Sequence, residues 1–366
     1  MKFKVPKDEI LIPLQHISKI ANSKSIPILS GVFITVDPEL MILVGGDSNN
    51  MMRYELSKDK FTFMKSGSVV LPIDKLFEII KKMDEDWIQV ELLENDCVHI
   101  VSGDSNFRLV GMDAGEYPQV RLDHSGIPIE LNGEVLKVLI NQTIYAVSSR
   151  EDNPLLTGVH IKLNDKSVCF TACDRHRVAR MTVMLASGVS AENIISGKAL
   201  VDIKHILKDD LPVHINFLEQ RMLFKQGSLT YAVTPMEGKY PNIEKMISME
   251  SSSKVVVSTP KLLRSLERSM IISDSSMGFI TTMQINNDHL RISCQSDNGY
   301  MDENIVLESA TNDIFEIKCN VKFALDALKT IRTEKTAIHY NRNQKLIVFK
   351  PHEQESALHL IMGALK

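Results

Sequence analysis

The chain has 366 residues, 44% of them hydrophobic and 24% charged, and a formal net charge of −4. This is the composition of an ordinary soluble globular protein, and the length predicts two to four domains because single cores stop growing well below it. The charge excludes a generally basic nucleic-acid coat, although not local basic patches.

No apolar run approaches the roughly 18 residues that a membrane span requires. The N-terminus, MKFKVPKDEILIPL, has neither the long apolar core nor the small-residue cleavage site of a signal peptide. Five cysteines, at 97, 169, 173, 294 and 319, form no CxxC pair. They read as small buried residues in a reducing cytoplasm, with no metal site and no cofactor.

The predicted elements recur in three passes. Residues 7–22, 132–149 and 258–273 carry apolar side chains at three- and four-residue steps, the spacing of an amphipathic helix. Pro260 suits a first helical turn. Pro13 predicts that the first helix either starts near Ile12 or kinks there. After each helix comes an alternating strand, SGVFITVD (30–37), TGVHIKLN (157–164) or GFITTMQIN (278–286). A second strand with a polar Asp-containing segment follows, then a second short helix at 71–83, 200–211 and 319–331, then closing strands.

The first two passes end on nearly the same phrase, GEYPQV at 115–120 and GKYPNI at 238–243. Proline there stops the last strand and starts the crossing to the next repeat. The domains are therefore expected at 1–122, 128–246 and 253–366. With two helices and about eight strands in each, the fold class is α+β, every domain laying its helices on antiparallel sheet. Three equivalent domains in a row form an arc, and two arcs about a two-fold axis close into a ring.

Summed over the six helical stretches the charge is positive, although the chain as a whole is acidic. Helices with that bias can hold a polyanion through its phosphates without reading bases. Solvated helix faces are the alternative reading. The polar segment TACDRHRVAR (171–180) places Asp174 near His176, yet no Ser or Cys nucleophile and no HExxH spacing accompanies them. No catalytic site is expected.

The order of segments, the phrase IPILSGVFI, the pair TGVHI and ACDRHRVAR, the GKYPNI turn and the helix CNVKFALDAL together resemble the bacterial sliding clamp, the β subunit of DNA polymerase III. The resemblance covers the whole chain. It implies three tandem DNA-clamp (processivity) domains, a ring formed by a homodimer around duplex DNA, and a cytoplasmic, non-catalytic tether for polymerases and the clamp loader. A monomeric three-domain protein-binding scaffold is the alternative.

The resemblance also implies site residues. Short partner peptides would dock in a cleft walled by Leu156, Gly158, Cys173, His176, Arg177, Val178, Pro241, Met246, Phe323, Leu360, Ile361 and Met362. Duplex DNA would meet Lys24 at the end of the first helix, with Lys75, Lys81, Lys82, Lys137, Arg150, Lys204, Arg264 and Arg268 as further candidates. The dimer contact would set Phe107 and Leu109 against Ile271 and Ile272. Three features depart from the family pattern: Arg175 where a small residue is usual, Lys245 where arginine is usual, and the tail IMGALK without the usual proline. Together they point to a divergent or second-copy member with altered partner specificity.

Overall fold

In a computed structural model, the structure describes residues 1–21, 26–118, 127–150, 152–186, 190–247, 253–274, 278–297, 299–341 and 345–364. Seven helices are found among them: α1 Lys7–Ile20, α2 Ile73–Lys81, α3 Gly133–Ile144, α4 Gly197–Ile206, α5 Glu244–Ile247, α6 Thr259–Ile272 and α7 Val321–Leu328. No described helix is long and apolar enough to cross a membrane.

Two compact units form, one from residues 1–134 and 202–235, the other from 135–201 and 236–366. In the first, a five-stranded antiparallel sheet runs in the order Thr62–Lys65, Lys2–Pro6, Trp87–Leu92, Cys97–Ser102, Ser105–Val110. Beside it, an eight-stranded sheet joins Ile127–Asn132, Pro212–Phe217, Met222–Gln226 and Leu229–Val233 of the middle repeat to Asn50–Ser57, Leu40–Gly46, Gly31–Val36 and Gly67–Pro72 of the first. The seam is the antiparallel pairing of Leu229–Val233 with Asn50–Ser57, Leu229 lying opposite Tyr54.

The second unit has the same plan. Its eight-stranded sheet runs Ala191–Ser196, Gly158–Asn164, Ser167–Cys173, Arg177–Met184, then Ala357–Met362, Leu346–Pro351, Lys335–Asn341, Ser253–Ser258. The seam pairs Arg177–Met184 of the middle repeat with Ala357–Met362 of the last, Arg177 opposite Ile361. A four-stranded sheet follows in the order Gly299–Val306, His289–Ser296, Ile280–Asn286, Ile314–Asn320. Each repeat thus lends strands to a neighbour's sheet, so the compact units do not coincide with the sequence repeats.

The helices follow from their apolar stripes. α2 buries Ile73, Leu76 and Ile80 and leaves Lys75, Glu78 and Lys81 outward. α6 buries Leu262, Ser265, Leu266 and Ser269, with the Ser269 hydroxyl on Thr281 Oγ1 at 2.9 Å. Asn320 caps α7, its side-chain oxygen accepting from the Lys322 N–H at 2.9 Å.

Three expectations are corrected. Each repeat opens with a strand and not with its helix: Lys2–Pro6, Ile127–Asn132 and Ser253–Ser258 precede α1, α3 and α6. The start near Ile12 is overturned: α1 starts at Lys7 and contains Pro13, because burial of Ile10, Pro13, Leu14 and Ile17 outweighs the backbone bond that proline forfeits. α4 begins at Gly197, ahead of the expected 200, where the Ser196 hydroxyl accepts from the Ala199 N–H at 3.2 Å.

Candidate functional site

The polar segment forms a tight turn between the strands Ser167–Cys173 and Arg177–Met184. Asp174 Oδ1 accepts the backbone N–H groups of His176 and Arg177, both at 3.1 Å, and the Asp174 N–H reaches the Arg177 carbonyl at 3.3 Å. Arg175 at the tip takes the left-handed conformation, with φ 77°. The same turn occurs in the first repeat, where Asp47 Oδ1 accepts from Asn49 at 2.9 Å and Asn50 at 2.7 Å. Asp174 thus orders backbone, and its bond to His176 is to the N–H and not to the ring.

Arg177 is held from all sides. Its Nε donates to Asp174 Oδ2 at 2.8 Å and its Nη1 to Asp326 Oδ2 at 2.7 Å. Its guanidinium carbon lies 4.4 Å from the Phe323 ring centroid and 5.5 Å from that of Tyr145. The His176 ring stacks on Phe323 with centroids 6.3 Å apart. Sequence reasoning passed over Tyr145 and Asp326, since neither stands near the turn in the chain.

Next to this turn lies an apolar cluster. Leu156, Cys173, Val178 and Leu360 are buried in it with Ile194, Tyr240, Ile243, Leu346 and Val348, while Leu155, Met236 and Met246 pack against it. Tyr240 is the lock. Its hydroxyl accepts the Cys173 N–H at 3.0 Å and donates to the Gly158 carbonyl at 3.4 Å, and its ring stacks on His160 at 5.2 Å. Gly158 has no room for a side chain, since a Cβ there would come within 2.8 Å of Ile194 and Met236. Burial pushes the Cys173 thiol up, which makes it a packing group and not a nucleophile. Arg180 clamps Glu244 of α5 with two bonds, 2.6 and 3.2 Å, fixing the segment that carries Met246.

Of the implied cleft residues, the structure brings Leu156, Gly158, Cys173, Val178, Met246 and Leu360 to one cluster. Met362 is partly exposed, its N–H on the His176 carbonyl at 2.8 Å, and Pro241 is exposed. Ile361 is a correction. Neighbours on a strand face opposite ways, so beside Leu360 it points into the core of the last repeat with Leu262, Leu266 and Phe349. Lys245 stands in α5 and its side chain lies outside the described residues.

Among the DNA candidates, Lys24 lies outside the described residues. Lys75, Arg150, Lys204 and Arg264 have no acidic partner among the described residues. Lys81 and Lys82 sit 3.8 and 3.5 Å from Glu78, and Lys137 is half-buried on α3. Arg268 grips Glu303 with both ends of its fork, Nη2 to Oε2 at 2.6 Å. Of the four interface candidates, Ile271 is 75% and Phe107 39% exposed, while Leu109 and Ile272 are half-buried.

Three copies of a two-helix, antiparallel-sheet domain, joined through shared sheets at the two seams, define the class of DNA-clamp processivity proteins. Comparison with known proteins agrees along the whole chain. Residues 1–121, 130–242 and 244–364 match, in order, the N-terminal, central and C-terminal domains of the DNA polymerase III beta subunit. The beta sliding clamp of Halalkalibacterium halodurans is 29% identical, over 98% of this chain and 98% of that one. That of Bacillus subtilis is 28% identical, over 99% of each. A crystal structure of the DNA polymerase sliding clamp from Bacillus subtilis superposes with a TM-score of 0.96 at 27% identity, covering 100% of this chain and 99% of that one. The chain belongs to the DNA polymerase III β subunit family, the bacterial β sliding clamps, and is a non-catalytic processivity factor.

Proposed function

We propose that two copies of this chain close into a ring around duplex DNA and tether polymerases and the clamp loader through short peptides docked in the Leu156–Leu360 cleft. The observation that carries the ring is a pair of unused strand edges. At both seams within the chain, the strand after the Asp-containing turn of one repeat pairs with the last strand of the next. In the last repeat that strand, Gly299–Val306, is the edge of its sheet, and the last strand of the first repeat, Ser105–Val110, is the edge of another. Both expose apolar side chains, Phe107 at 39%, Val110 at 74% and Val306 at 70%, which an isolated chain would leave open to aggregation.

A second copy related by a two-fold axis covers both edges at once. Transferring the seam register through the matching hairpin turns sets Ser105 opposite Glu303, Phe107 opposite Met301 and Arg108 opposite Tyr300. Arg108 then meets the network in which Arg291 Nε donates to Asp302 at 2.9 Å and the Tyr300 hydroxyl to Asp302 at 2.6 Å.

The DNA reading rests on outward basic residues of the helices. Lys75 and Arg264, with exposed side chains, and Lys204, half-buried, have no acidic partner among the described residues and supply diffuse phosphate contacts. Lys24, Lys81, Lys82, Lys137, Arg150 and Arg268 complete the proposed set. Tethering works because a bound polymerase re-engages its template intramolecularly.

The test is retention of the protein on duplex after loading. A ring stays on closed circular DNA and runs off a linear molecule, whereas a monomeric scaffold treats both alike and sediments with the mass of one chain.

A further inference from the structure

We propose that Arg175 makes this cleft select partner peptides bearing a carboxylate beside their apolar anchors, that carboxylate taking the place of Asp152 on the Arg175 guanidinium. The proposal rests on the peptide-docking reading and adds to it the charge of the partner.

The turn and the strand after it carry three arginines, and two of them are committed. Arg177, its side chain 12% exposed, is held by Asp174 and Asp326 and lies against the rings of Phe323 and Tyr145, and Arg180 has both its ends on Glu244. Arg175 differs. Its side chain is 58% exposed, and its one ion pair among the described residues is a single long contact, Nη1 to Asp152 Oδ2 at 3.4 Å, with the Asp152 side chain 53% exposed. An exposed, single-pronged pair of this kind contributes little, so a carboxylate presenting both oxygens to the fork outcompetes it.

The pair also flanks, in the chain, two members of the apolar cluster. Arg175 stands three residues before Val178, and Asp152 precedes the 3₁₀ turn Pro154–Thr157 that carries Leu155 and buried Leu156. A peptide whose anchors reach Leu156 and Val178 therefore engages residues three and four positions along the chain from these two charges. Arg175 also keeps a left-handed backbone, φ 77°, that glycine or asparagine adopts more readily. A long cation retained where the backbone favours a small residue points to a use for its charge.

The experiment titrates the full-length protein with two synthetic peptides sharing Leu and Phe anchors and differing only in Asp or Asn beside them. Wild type should prefer the Asp peptide about fivefold at low ionic strength, the preference shrinking as salt screens it. Arg175→Gln should bring the ratio to about one, and Asp152→Asn should raise it by freeing the guanidinium. Equal affinities in wild type, or an undiminished preference in Arg175→Gln, overturn the proposal. Failure of both peptides to bind any variant overturns the docking reading itself and the proposal with it.

Discussion

The guanidinium of Arg177 lies over Phe323, 4.4 Å from its ring centroid, and ties two carboxylates, Asp174 of the middle repeat and Asp326 of the last. One side chain thus joins the turn of one repeat to α7 of the next. Removing it strands two partly buried carboxylates. Arg177→Ala should destabilise the protein by about 2–4 kcal/mol, read from denaturant midpoints, and Arg177→Lys should recover only part, since an ammonium lacks the planar fork that reaches both acids while resting on the ring. A loss below about 0.5 kcal/mol for the alanine variant would show that the network is ornamental.

Tyr117 and Tyr240 hold the same place in the two similar phrases, yet they bond differently. The Tyr240 hydroxyl satisfies a buried N–H, that of Cys173, whereas the Tyr117 hydroxyl only donates to the Val44 carbonyl at 3.4 Å. Tyr240→Phe should therefore cost about 1–3 kcal/mol and Tyr117→Phe less than about 1, because an orphaned buried donor is more expensive than a long bond to a carbonyl. Equal losses from the two would remove the Cys173 bond as the cause.

His359 is buried on the strand Ala357–Met362, its Nδ1 2.8 Å from the Tyr145 hydroxyl and its Nε2 3.3 Å from Thr330 Oγ1. Burial holds its imidazole down to about 4. The folded state therefore favours neutral histidine, while in the unfolded chain the ring titrates near 6.5. Stability from this group is whole above about pH 6.5 and falls as pH drops toward 4, by about 3 kcal/mol in total. Denaturation measured from pH 7 to pH 4 should show that decline, and His359→Phe should flatten it. An unchanged slope in the variant would assign the acid sensitivity elsewhere.

The proposed ring contact fixes a register that cross-linking can read. A protein carrying both Ser105→Cys and Glu303→Cys should form a disulfide between copies under mild oxidation, and shifting one cysteine by a single residue should abolish it, because a one-residue slip turns the side chain to the other face. Ile272→Glu should split the dimer into single chains by sedimentation, since it places an unpaired charge at the seam. A dimer mass unchanged by Ile272→Glu would take that residue out of the interface.

The sequence by itself determined a good deal. Period-3.6 stripes located α3 and α6, period-2 alternation located Gly158–Asn164, and the repeated phrases revealed three passes over one plan. Those signals are local, set by a few residues of one element. It did not announce the strands Lys2–Pro6 and Ser253–Ser258, which are too short and too mixed to stand out from the helices they precede.

Tertiary structure decided what the motifs do. Tyr240 reads as turn punctuation until Cys173 and Gly158, 67 and 82 residues away in the chain, are brought under its hydroxyl. Likewise Arg177 and Arg175 are the same residue type two positions apart. Only the fold commits the first to Asp326, 149 residues on, and leaves the second exposed on a weak pair with Asp152. The division follows from range. Backbone periodicity acts within a few residues and is written in the local sequence, whereas burial and charge pairing depend on which distant strands share a seam.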